Sequence, residues 1–175
     1  MQRRKFLQQA GLLSGATLAT PLTHLPAEEA DISKFSETFV PTRVITSGPE
    51  FHWFGYYDKL QFDPTNRFVL SNQVSFEHRT PTEFDPIQVG MVDLENDDEW
   101  IEIGKSEAWG WQQGCMLQWL PGSKSKVIWN DRDSDQFVCR VHDIETNETG
   151  TVPRPVYALS PDGKWGVSAD FARIQ

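Results

Sequence analysis

The sequence predicts an all-β fold: a β-propeller of four-stranded antiparallel blades, present as an N-terminal portion of about two and a half blades. Three observations carry this. A strand–turn–strand motif with a proline-containing turn occurs three times, in "KLQFDPTNRFVLSNQ" (59–73), "MLQWLPGSKSKVIWND" (116–131) and "YALSPDGKWGVSAD" (157–170). Two of the three continue into a matched pair, "VGMVDLEND" and "VCRVHDIETNETG", in which a β-branched alternation runs into Asp-Leu/Ile-Glu. Past the first thirty residues no stretch repeats apolar residues at the helical period of 3.6.

Residues 1–30 read as an export signal and linker. Arg3-Arg4 precedes Lys5-Phe6-Leu7 and a modest apolar run, Ala10 to Leu22, broken by Gly11, Ser14, Gly15 and Thr17. That run is too short and too interrupted to span a bilayer, and a basic start before a short apolar stretch marks targeting rather than fold. "RRKFL" resembles the bacterial twin-arginine signal, whose carriers are exported already folded. The resemblance implies the twin-arginine translocase as a partner during export and a periplasmic or extracellular destination. An ordinary Sec signal or a short membrane anchor is the alternative. Thr17-Leu18-Ala19 and Ala27 compete as cleavage points.

Residues 31–50 approach the first blade. "VPTRVITSG", Val40 to Gly48, alternates as a strand does, and in a closed ring it would serve as the outer strand of the last blade.

Residues 51–105 form the first blade. Its hairpin turn uses Pro64 to preset φ and Asn66 to accept a positive φ; Pro121 with Gly122 and Pro161 with Gly163 repeat that chemistry in the later units. The turn prolines are separated by 57 residues (64 to 121) and then 40 (121 to 161). The shorter spacing is that of a propeller repeat. An insertion between the second and third strands, "VSFEHRTPTEFDPIQ", explains the longer one. Asp93 and Asp143 then occupy equivalent ends of a third strand, and "EWIEIGK" and "GTVPRPV" supply the fourth. Residues 106–150 make the second blade and 151–175 an incomplete third.

"LSPDGKW" and "VHDIETNETG" resemble the TolB-like and WD-repeat-like propellers of bacteria. "HWFGYYDKLQFDPTNRFVLSNQ" is similar to the opening blade of exported propellers of that kind. The resemblance spans roughly residues 50 to 175 and implies architecture rather than activity, because propellers host many unrelated functions. Oligogalacturonate and ulvan lyases also use propeller scaffolds, and no catalytic role is carried over from them to residues here.

The formal net charge is −9, becoming −12 once Arg3, Arg4 and Lys5 leave with the signal. Such a surface repels phosphate backbones and anionic headgroups, which argues against nucleic-acid and membrane partners. Cys115 and Cys139 sit in apolar runs that read as strands. They are expected to be buried thiols, or one bridge in an oxidising compartment.

In a propeller the loops leading into each first strand converge at one mouth of the channel. Here those loops are His52 to Asp58, Trp109 to Gly114 and Pro153 to Val156. His52 and Tyr57 are the proton-transfer candidates. Tyr56, Asp58, Gln112, Gln113 and Arg154 are the substrate-binding candidates: aromatic faces for sugar rings, amides and a carboxylate for hydroxyls, one guanidinium for an acidic sugar. Strand alternation allows one of the two tyrosines to face the channel. Trp53, Phe54, Trp111 and Trp119 read as packing between blades, with Gly55 and Gly114 relieving close backbones.

His78 and Arg79 lie in the insertion, a solvated loop by default. His142 is expected at a turn or in solvent. "NDRDSDQ" (130–136) has the oxygen-rich composition of a calcium loop but reads equally as a hairpin. No metal site is assigned, and no cofactor fingerprint is present.

The function these residues suggest is binding or processing of carbohydrate at the channel mouth, extending to lyase-like chemistry on uronic acids with Arg154 as carboxylate clamp. A non-catalytic scaffold holding a protein or peptide is the alternative.

Overall fold

The computed structural model describes residues 40–170 and Arg173. The export signal, its cleavage points and residues 31–39 lie outside them. All the strands belong to the compact unit that begins at Thr42.

Ten strands make two four-stranded sheets and one short pair, and no α-helix occurs among the described residues. The first sheet is β1 (Phe51–Trp53), β2 (Phe68–Val74), β3 (Ile87–Asp93) and β4 (Glu99–Ser106), each antiparallel to its sequence neighbours. The second is β5 (Gln118–Trp119), β6 (Lys126–Asp133), β7 (Gln136–Asp143) and β8 (Glu148–Val152), in the same up-and-down order. β9 (Ala158–Leu159) and β10 (Gly166–Val167) form the third, two-stranded sheet.

The two large sheets repeat one another in register. Phe68 pairs with Asp93, and Lys126 with Asp143. Both aspartates end the third strand of their sheet and cap the turn that follows, accepting from the N–H of Glu95 and of Glu145 at 3.1 Å. The three hairpin turns match as well: Asn66, Gly122 and Gly163 all take a positive φ, at 62°, 79° and 67°. The insertion separates Val74 from Ile87, where the second sheet needs only Ser134 and Asp135. The oxygen-rich stretch 130–136 is therefore a β6–β7 hairpin, with Ser134 at a φ of 57°.

The opening segment of the first sheet departs from the sequence reading. A strand was expected across Lys59 to Phe62, preceded by a loop containing His52. Instead His52 lies in β1, paired with Gln73, and Phe62 makes only an isolated bridge to Val69. β2 is long enough to hold both pieces, Phe51–Trp53 against its end and Phe62 near its start. Between them the chain leaves the sheet through Gly55, at a φ of 120°.

Val40 to Ser47 carries no strand, and Val40 and Val44 are exposed. Alternation makes a segment competent to join a ladder, but a strand exists only with a partner, and none pairs with it among the described residues.

The core lies where the two large sheets face each other. Leu70, Val89 and Met91 of the first pack against Leu117, Trp119, Val127 and Trp129 of the second, all buried. Each such side chain contributes about 1.5–3 kcal/mol by leaving water. Both tryptophans have partners for their N–H groups across the boundary: Trp119 donates to the Gln61 carbonyl and Trp129 to that of Lys105, each at 3.0 Å.

Asn72 and Asn130 hold equivalent positions, four residues past Phe68 and Lys126, and both are buried. Asn72 donates to the Phe54 carbonyl at 2.6 Å and accepts from the Cys115 thiol at 3.3 Å. Asn130 grips the next unit at Val156, donating to its carbonyl at 2.9 Å and accepting from its N–H at 2.8 Å. A buried side-chain amide tying each sheet to the segment that opens the next one is thus a feature of the repeat.

Candidate functional site

The insertion and the loop after β4 build a cleft together. In the insertion Arg79 stacks on Phe76, 3.4 Å from its ring centroid, and forks onto Asp85 with two bonds of 2.7 Å. Asp85 also accepts from the N–H and hydroxyl of Thr82. The guanidinium and then the Thr82 bonds hold the Asp85 carboxyl well below the usual carboxylate range. This loop is pinned rather than a loose overhang.

Its backbone carbonyls capture two indoles from the neighbouring loop. Trp109 donates to the Asp85 carbonyl at 2.5 Å and Trp111 to that of Arg79 at 2.7 Å. The rings meet edge-to-face at 5.1 Å, and Trp53 and Phe76 complete the cluster. The expectation that Trp53 and Trp111 serve packing therefore holds. Trp111 also has a second role, because it lines open space.

That space is a cleft of about 630 Å³. Glu83 comes from the insertion; Glu107, Trp109, Trp111, Gln112 and Gln113 come from the loop after β4; Arg132 and Phe137 come from the β6–β7 hairpin. A smaller hollow of about 450 Å³, lined by Glu77, His78, Arg79 and Thr80, lies on Trp111 as well.

Of the sequence candidates only Gln112 and Gln113 line the larger cleft. Gly55 and Gly114 do mark a close approach of two loops. A Cβ on Gly114 would stand 2.8 Å from Asn72 Nδ2 and 3.4 Å from the Gly55 Cα, and one on Gly55 would stand 3.1 Å from the Gln113 carbonyl oxygen.

Tyr56, Tyr57 and Asp58 gather elsewhere, around a lysine the sequence reading passed over. Lys59 Nζ lies 3.0 Å from Asp58 Oδ1, 5.6 Å from the Tyr56 ring and 5.4 Å from the Tyr157 ring, with only 4% of its side chain exposed. Hydrogen bonds with Tyr57 and Tyr157 push the Tyr56 phenol up to about 12. The two tyrosine rings sit 4.7 Å apart, contrary to the expectation that one would turn away. Alternation does not apply because the chain is turning, not extended, at these residues. Tyr57 is 86% exposed.

His52 does not line the cleft either. Its Nε2 lies 3.1 Å from Gln73 Nε2, and its ring stands edge-on to Trp100 at 4.8 Å. Burial holds its pKa below the ordinary value, against the pull of Glu50. Arg154 lines a third space, an apolar groove of about 380 Å³ between the second sheet and the β9–β10 pair. The proton-transfer candidates and the expected carboxylate clamp are therefore not assembled around the cleft.

His142 is buried rather than solvated, paired through Nδ1 with the Thr149 hydroxyl at 2.9 Å. Cys115 and Cys139 are free and buried, and burial pushes both thiols up to about 12. Among the described residues no group of three or more His, Cys, Asp or Glu could hold a metal ion, and no helix is long and apolar enough to cross a membrane.

Glu83, Glu107 and Arg132 escaped the sequence reading because they come from three separate segments: the insertion, the loop after β4 and strand β6. The insertion's aromatic and charged content, Phe76 and Arg79 above all, was the one available signal that it would fold onto its neighbour. No family model, no curated protein and no solved structure matches the chain.

Proposed function

We propose that the chain supplies consecutive blades of a β-propeller and binds a neutral glycan in the cleft between the first two. The propeller reading is supported by the repeated register, by the Asn72 and Asn130 ties, and by inner segments that touch from sheet to sheet. The backbone N–H of Trp119, for instance, donates to the Leu60 carbonyl at 3.1 Å.

The observation that carries the binding reading is the cleft wall itself: two locked indoles, Trp109 and Trp111, beside the amides of Gln112 and Gln113. Sugar rings offer apolar C–H faces that pack on aromatic rings and hydroxyls that pair with amides and carboxylates. A pocket of this volume suits a small ligand. Its ionisable lining is Glu83 and Glu107 against Arg132, which disfavours acidic sugars, as does the overall charge of −9. Binding without catalysis is the simpler reading, since His52 and Tyr57 do not line the cleft. The twin-arginine resemblance adds an exported location, where glycans are at hand.

A glycan array probed with the purified protein tests this. The reading expects retention on neutral or N-acetylated saccharides and not on polyuronates. Retention on polyuronates alone, or on nothing, counts against it.

A further inference from the structure

Trp111 is shared by two hollows, and this points to the size of the ligand. On one side is the 630 Å³ cleft with Gln112, Gln113, Glu83 and Glu107; on the other is the 450 Å³ hollow with Glu77, His78, Arg79 and Thr80. The first is of the size that houses one small ligand, and the second is a shallower, more open hollow beside it. The divider is fixed from several directions: its N–H is held by the Arg79 carbonyl, Trp109 and Phe76 meet it edge-to-face, and Trp53 packs at 5.3 Å. An indole held this way loses little freedom when a ligand arrives, so contact with it is not offset by an ordering cost.

One edge of the second hollow is held in place. Arg79 is held by Asp85 and Phe76, and His78 stands at a φ of 62° with 94% of its side chain exposed, set out from the loop beside Glu77.

We infer that the two hollows form one track, and that the ligand is an oligosaccharide whose units lie on both sides of Trp111. This rests on the glycan-binding reading and adds chain length to it. A monosaccharide fills one hollow; a longer chain engages the carboxylates and amides of the first and the Glu77-His78-Thr80 edge of the second. Affinity therefore rises with length until both hollows are filled and then levels off.

The test is calorimetric titration of the whole protein with N-acetylglucosamine, its dimer, its tetramer and its hexamer. The track predicts about tenfold tighter binding of the tetramer than of the dimer, with little further gain for the hexamer. In Glu77→Gln/His78→Asn, where asparagine tolerates the positive φ, that gain is lost and tetramer affinity falls to the wild-type dimer value. Equal affinity for dimer and tetramer overturns the track while leaving glycan binding intact. The series is built from N-acetylglucosamine or, if the array retains only another neutral sugar, from that sugar; absence of binding to every member overturns the track, and an array that also shows no neutral glycan overturns the glycan reading with it. A length gain that survives Glu77→Gln/His78→Asn, in a variant with an unchanged unfolding midpoint, removes the second hollow from the track.

Discussion

Asn130 holds Val156 by both of its backbone polar groups, taking its N–H at 2.8 Å and giving Nδ2–H to its carbonyl at 2.9 Å. A side-chain amide here does what a neighbouring strand would do, and it fastens the β9–β10 pair to the second sheet. In Asn130→Ala two backbone groups of Val156 lose their partner, which costs about 1–3 kcal/mol for a buried position. The urea midpoint falls accordingly, and amide exchange quickens first in residues 156–167. Loss spread evenly over all three sheets would contradict the role assigned to Asn130.

Stability falls with acid in two steps. Burial holds His52 and His142 below the ordinary histidine value of 6.5. In that window the unfolded chain binds protons that the folded chain does not, so the contribution is complete above 6.5 and is lost as pH falls through the folded values. A second loss follows below about 3.8, where Arg67 on Asp93 and Ser125 on Asp143 hold those carboxyls down. Urea midpoints measured between about pH 8 and 5 decline in the wild type. His142→Gln flattens the decline, and a slope it leaves unchanged would dissociate His142 from the effect.

Export is tested with a reporter fused to residues 1–30. Transport requires the twin-arginine translocase and stops when Arg3→Lys and Arg4→Lys are combined. Transport that persists in the double variant assigns the segment to the Sec route.

The strand order was legible because alternation, Pro-containing turns and the recurring Asp93/Asp143 motif act locally, within one hairpin. The turn residues Asn66, Gly122 and Gly163 read correctly for the same reason, since a positive φ is a property of one residue and its chemistry. What could not be read was distance across loops. Nothing local to Glu83 or Arg132 reveals that they share a cleft with Gln112, and nothing near Lys59 reveals Tyr157 beside it. His52 was misplaced because β2 is long enough to take two short pieces, and the earlier of them, Phe51–Trp53, carries it. Val40 to Ser47 has the pattern of a strand, but none of the described residues pairs with it to make it one.

The most direct test of the cleft is titration of the N-acetylglucosamine tetramer into wild type and Gln112→Ala. Gln112 is exposed on the loop after β4, so its truncation spares the core. The account predicts saturable binding to the wild type and about tenfold weaker binding to Gln112→Ala, at an unchanged unfolding midpoint. Equal binding by the two proteins would contradict a glycan site at Gln112, and no binding by either, with an array that retains no neutral glycan, would contradict a glycan site between the first two sheets.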